Sequence, residues 1–187
     1  MEVCGTHTHA IFRLGIRSLL PESITLISGP GCPVCVTPVT YIDEALYLAN
    51  AGVTLCTFGD LLRVPGTNGS LATARSEGAN IQIVYTALDA IAYATEHPDE
   101  SVTFLSVGFE TTTPAACLAI QQAEALHLKN FTLLTANKTM DAAYLAMAGS
   151  CDAYLYPGHV CTITGAEVPR ALTKKGISGA IACFTAA

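Results

Sequence analysis

A mixed α/β fold of two similar small lobes, each a mainly parallel sheet flanked by helices in a Rossmann-like arrangement, is what this 187-residue sequence predicts. Three observations carry the prediction. Short β-branched runs alternate with stretches of helical periodicity, the pattern of parallel strands joined by crossover helices. Two strand–loop–helix segments resemble each other, one built around SGPGCPVCVTP and the other around SVGFETTTP. Hydrophobic residues make up 51% of the chain and charged ones 13%, which suits a packed core and argues against disorder.

Taken in chain order, strands are predicted at ITLIS (Ile24 to Ser28), VTLCT (Val53 to Thr57), IQIVY (Ile81 to Tyr85) and VTFLSV (Val102 to Val107). Three more follow at FTLLT (Phe131 to Thr135), AYLY (Ala153 to Tyr156) and GAIAC (Gly179 to Cys183). The helix after Pro38 places Val39, Ile42, Leu46 and Ala49 on one face and stops at Gly52. Another runs from Ala87 to Glu96 ahead of Pro98. Thr37 and Thr113 suit N-caps, with Pro38 and Pro114 at the first helical positions. The expected lobes are residues 1–97, with CGTHTH and GPGCPVC, and residues 98–187, with GFETTTP and PGHV.

Charge and hydropathy exclude several function classes. The formal net charge of −6 comes without any Lys/Arg cluster, so no nucleic-acid surface is expected. No apolar run approaches the roughly 20 residues that span a bilayer, and the start does not read as a secretory signal. Eight cysteines in such a chain read as mostly reduced thiols of a cytoplasmic protein rather than as a disulfide framework.

In open α/β sheets ligands bind beyond the carboxyl ends of the strands. The loops around Cys32 and Glu110 fall there, and so do RVPGTNGS (Arg63 to Ser70) and YPGHVCTITG (Tyr156 to Gly165), which predicts one shared cleft. Cys32 and Cys35, presented by two glycines and two prolines ahead of a helix, read as a redox pair, a metal half-site or a structural accident. A Cys₄ zinc site is disfavoured because there is no second Cys-x-x-Cys.

Cys4 precedes a helix expected to be capped at Thr6. In that helix His7 and His9 face different ways, whereas in an extended segment they share a face and could chelate. Glu110 and Thr111 suggest an anion site at a helix start, although a cap at Thr113 explains the threonines equally well. His159 is a candidate proton donor, or an unremarkable loop histidine. Cys56, Cys117, Cys151 and Cys183 read as small buried apolar residues, and Cys161 is left open.

In their order, MEVCGTHTH, GPGCPVCVTP, LCTFGDLLRVPG, GSLATARSEGA, GFETTTP and PGHV resemble the HypD family of hydrogenase maturation factors over nearly the whole chain. The resemblance implies a scaffold for the Fe(CN)2CO centre of NiFe hydrogenases, an accessory protein of metallocentre assembly rather than a free-standing turnover enzyme. It implies iron on the Cys4 thiolate, a redox-active pair at Cys32 and Cys35, and supporting roles for His7, His9, Glu110 and His159, while Thr111 remains a ligand-binding candidate on its place at the helix start. Its implied partners are a small HypC-like chaperone and a HypE-like donor that delivers cyanide as a thiocyanate.

Family members also carry a 4Fe–4S cluster in a further domain, which is expected to be missing from this sequence because it stops at GAIACFTAA. Cys161 stands where the resemblance would put a serine. The competing reading from the residues alone is a thiol–disulfide oxidoreductase that uses Cys32 and Cys35 without metal.

Overall fold

The computed structural model describes residues 1–184. Its elements run α1 (Gly5–Arg13), α2 (Val39–Asn50), β1 (Thr54–Thr57), β2 (Pro65–Gly66), β3 (Gly69–Ser70), α3 (Leu71–Ser76), β4 (Ile81–Ile83), α4 (Ala87–Glu96) and β5 (Val102–Ser106). They continue α5 (Thr113–Ala125), β6 (Phe131–Thr135), α6 (Met140–Ala146), β7 (Ala153–Pro157), α7 (Gly158–Thr164), α8 (Glu167–Lys174) and β8 (Ser178–Ala182). No helix among the described residues is long and apolar enough to cross a membrane.

The expected boundary near residue 97 is not where the chain divides. One compact unit holds residues 36–108 and 112–138; the other combines, among the described residues, 1–35, 109–111 and 139–184. The reason is strand pairing: β5, assigned from the sequence to the second lobe, pairs with β1 in register Thr54↔Val102.

The continuous-core unit is a four-stranded parallel sheet in the order β4-β1-β5-β6. Its inner strands β1 and β5 are buried along their whole length, which is why they read as unbroken apolar runs. Phe104, Cys56, Ile91 and Ala119 form its core, and Phe58 meets Phe104 edge-on at 5.5 Å. The α4 limits are those expected, because local chemistry fixes them. Thr86 and Asp89 make a reciprocal capping box, with Asp89 N–H donating to Thr86 Oγ1 (3.2 Å) and Thr86 N–H to Asp89 Oδ2 (2.9 Å).

Several local expectations shift. The N-caps are Pro38 for α2 and Thr112 for α5, each one residue from the threonine expected. Ile42 and Ala49 face the core with Tyr41 and Ala45, but Val39 at the helix start is exposed. Arg63–Ser70 belongs to this unit as a β2–β3 hairpin, clamped to α2 by Thr67, whose N–H and hydroxyl each donate to the Asp43 carboxylate at 2.7 Å. Cys56 is buried as expected, but Cys117 and Cys183 are exposed and Cys151 half-buried. Cys117 lies one residue off the Ala116, Ala119, Ala123 stripe that α5 buries.

In the discontinuous unit, β7 and β8 pair in parallel, with Tyr156 opposite Ile181. Two further parallel bridges extend the ladder, Glu2 to Leu155 and Glu2 to Ser28. The order is therefore Ser28, Glu2, β7, β8, and the residues just before Cys4 form an inner strand. The strand expected over Ile24 to Ser28 shrinks to a single bridge at Ser28, made by Glu2 N–H donating to the Ile27 carbonyl (3.0 Å) and Gly29 N–H to the Glu2 carbonyl (2.8 Å), after which Pro30 has no N–H to donate. Glu2 is fully buried; its Oε1 accepts from Ser28 Oγ (2.8 Å) and from Arg17 (3.4 Å), which ties the inner strand to the segment that leads into the cysteine loop.

Candidate functional site

All four ladder segments of the discontinuous unit run the same way, so their carboxyl ends deliver side chains to one edge. The Glu2 segment ends at Cys4, the Ser28 segment at Gly31 and Cys32, β7 at Gly158 and His159, and β8 at Cys183 and Phe184. This is the edge where parallel sheets bind ligands.

Cys4, not Thr6, is the N-cap of α1; its backbone is extended and its side chain 6% exposed. The dithiol loop touches it through backbone. A Cβ placed on Gly31 would lie 2.3 Å from both the Cα and the N of Cys4, and Gly5 N–H donates to the Gly31 carbonyl at 3.3 Å. Only glycine permits this approach. Cys32 and Cys35 sit in the turn that follows, as free thiols, with Cys35 N–H donating to Cys32 Sγ at 3.4 Å.

The hydrogen bond between the two thiols, then burial, then the charge of Cys32 hold the Cys35 thiol above its ordinary pKa. Removing the partner should therefore free it. In Cys32→Ala, alkylation of Cys35 by iodoacetamide at pH 8 is expected to run several-fold faster than in the parent, as followed by mass spectrometry of the Cys35 peptide. A rate equal to or below the parent's would show that Cys32 does not restrain Cys35.

The helical start decides between the two histidine readings. His7 lies on the same side of α1 as Cys4, three residues on, and is 2% exposed. Its Nε2 is 3.0 Å from the Ala182 carbonyl, which can only accept, so Nε2 carries the proton. His9 is exposed on the other side, and no chelating His7/His9 pair forms. Phe184 lies beside both His7 (4.8 Å between ring centroids) and His159 (4.9 Å). Burial, and after it the neighbouring His7, push the His159 pKa down, with Glu110 opposing.

Glu110 enters this unit with Phe109 and Thr111. Its Oε1 accepts from the Met140 N–H at 2.7 Å, at the start of α6, and its Oε2 is buried without a partner. Thr111 is exposed. Cys161, half-buried on α7, has its thiol pKa raised by burial and then by the Glu110 charge. No group of three or more His, Cys, Asp or Glu side chains among the described residues is arranged to hold a metal ion.

The sequence missed Tyr144 and Tyr156, whose rings meet edge-on at 5.1 Å. Both are buried. The single hint was the two-residue spacing of Tyr154 and Tyr156 in AYLY, which puts both on one face of a strand.

The family model HypD, described as the hydrogenase formation hypA family, matches residues 1–187. The chain is 47% identical over 178 residues to the hydrogenase maturation factor HypD of Azotobacter vinelandii, covering 89% of this chain and 47% of that protein. It is 44% identical over 172 residues to the protein of that name from Escherichia coli K12, covering 89% and 46%. It is 41% identical over 178 residues to a putative hydrogenase expression/formation protein of Methanocaldococcus jannaschii, covering 94% and 50%. The chain thus spans about half the length of the curated relatives it matches.

Proposed function

The chain belongs to the HypD family of hydrogenase formation proteins, and from that premise we propose that its discontinuous unit is a scaffold in hydrogenase maturation. A single iron, the cargo, is held by the Cys4 thiolate, with Cys32 and Cys35 as a redox pair beside it. The backbone contact of Gly31 with Cys4 carries this reading, because it fixes the dithiol loop next to the thiolate.

A soft thiolate suits an iron that also takes cyanide and carbon monoxide on the way to Fe(CN)2CO. The other coordination positions fall to those diatomic ligands and to a small HypC-like chaperone. His7, Glu110 and His159 supply the polar surroundings that tune such a centre. Cleaving the S–C bond of a thiocyanate offered by a HypE-like donor gives a thiolate and cyanide and takes two electrons. Closing the Cys32–Cys35 disulfide supplies two electrons and two protons, so the exchange balances.

The test is an infrared spectrum in the cyanide and carbon monoxide stretching region, with iron analysis, of the chain purified anaerobically with its small partner. Bands and iron are expected in the parent and lost in Cys4→Ala. Unchanged iron content in Cys4→Ala would sink the reading. The exposure of Cys35 in its turn favours a second reading, a metal-free thiol–disulfide oxidoreductase. Under that reading, reduction of a protein disulfide proceeds equally well in Cys4→Ala.

A further inference from the structure

Two buried polar atoms without a hydrogen-bond partner among the described residues, Glu110 Oε2 and the Tyr144 hydroxyl, belong to side chains that line one small cavity of the discontinuous unit. Tyr144 is 3% exposed, and phenylalanine would fill its place without leaving a buried hydroxyl unpaired. Tyr154 marks the contrast. It packs against the same ring, yet its hydroxyl donates to the Tyr144 carbonyl at 3.1 Å. Glu110 has its other oxygen engaged by the Met140 N–H at 2.7 Å, so one carboxylate oxygen is left over.

The cavity measures about 120 Å³ and admits only a few heavy atoms. Its charge selects among ligands of that size. The titratable side chains that line it are Glu110, Asp141, Tyr144 and Cys161, all acids, and no lysine, arginine or histidine lines it. Such a surround repels anions and draws cations. A hard divalent metal takes six or more oxygen ligands, for which one free carboxylate oxygen and one phenol are too few. Burial, and then the charges of Cys161 and Glu110, hold the Tyr144 pKa far above its ordinary value, so its hydroxyl stays neutral. The same Glu110 charge acts on Cys161, and a cation seated between these side chains would offset it. Val160, Val168 and Pro169 add an apolar wall that suits a short hydrocarbon.

We infer that this cavity binds a small primary alkylammonium ion, its N–H groups donating to Glu110 Oε2 and to the Tyr144 hydroxyl oxygen and its alkyl end lying against Val160, Val168 and Pro169. The site is separate from Cys4, Cys32 and Cys35, none of which lines the cavity, and it does not depend on iron being held by Cys4.

The probe is ethylammonium chloride, titrated into the chain while the melting temperature is followed by circular dichroism. Tetramethylammonium chloride matches its charge without N–H donors, and acetamide offers N–H donors without charge. Ethylammonium is expected to raise the melting temperature saturably, with a midpoint on the order of a millimolar for so small a ligand, and neither control should do so. In Tyr144→Phe the midpoint should rise by up to about tenfold, in Glu110→Gln the response should vanish, and Tyr154→Phe should respond as the parent does. An ethylammonium response no larger than that to tetramethylammonium would overturn the inference, and so would one that survives unchanged in both Tyr144→Phe and Glu110→Gln. Stabilisation by acetamide in place of ethylammonium would overturn it by showing that the cavity takes a neutral ligand. If a variant does not fold, intermolecular nuclear Overhauser effects from the ethylammonium methyl to the Val160 and Val168 methyls of the parent locate the ligand, and their absence at saturation overturns the inference.

Discussion

Gly31→Ala is expected to destabilise the protein by about 3 kcal/mol, lowering the melting temperature by roughly 10 °C, and to remove iron retention with it. The alanine methyl would meet the Cα and N of Cys4 at 2.3 Å and the Val3 carbonyl carbon at 2.5 Å. These are backbone atoms of an inner strand that is hydrogen-bonded on both sides, so they cannot swing away as a side chain would. The loop must retreat, breaking the Gly5 N–H to Gly31 carbonyl bond and carrying Cys32 away from Cys4. Gly5→Ala is the matched control. A Cβ there meets nothing within 4 Å, and the substitution should stay within about 0.5 kcal/mol. Equal melting temperatures for the two variants, measured by circular dichroism, would show that the loop is not seated against Cys4.

Glu110→Ala is expected to cost about 2 kcal/mol, because it strands the Met140 N–H at a residue that is 1% exposed. Glu110→Gln keeps an acceptor at Oε1 and should recover most of that loss in chemical denaturation. The two variants share a second effect. The Glu110 charge contributes to raising the Cys161 thiol pKa, so removing it lowers that pKa and exposes more thiolate at a given pH. Cys161 should then be alkylated faster at pH 8 in both. A Cys161 rate unchanged in Glu110→Gln would mean that the carboxylate does not act on that thiol.

What could be read from the sequence divides by the range of the interaction. The ends of α4 were legible because Thr86, Asp89 and Pro98 act within a turn of where they sit, and β6 because FTLLT is bounded by its own punctuation. Cys4 stood out in the sequence by residue type alone, and Cys32, Cys35, Glu110 and His159 by residue type and by their place after predicted strands. The division of the chain was not, since nothing local in Glu2 and Val3 announces a strand whose partners are Ser28 and Leu155. Nor was the phase of α1. Moving the cap from Thr6 to Cys4 settles which histidine turns inward, and that depends on packing against Ala182 and Phe184. Tyr144 and Tyr156 were unreadable for another reason. A buried tyrosine and a buried phenylalanine pack alike, and only the surroundings of the hydroxyl tell them apart.

The inner position of the Glu2 segment also sets an order of assembly. In a chain made from its amino end, this strand emerges before both of its neighbours and remains an edge until Leu155 has followed, with Ser28 as its earlier neighbour. Cys4 and Cys32 can therefore meet early in synthesis, through Gly31. The carbonyl that fixes His7 and the ring beside His7 and His159 arrive much later, at Ala182 and Phe184. A growing chain thus holds its thiols together before it can wall them in, and in that interval they lie open to oxidants and to stray metal ions.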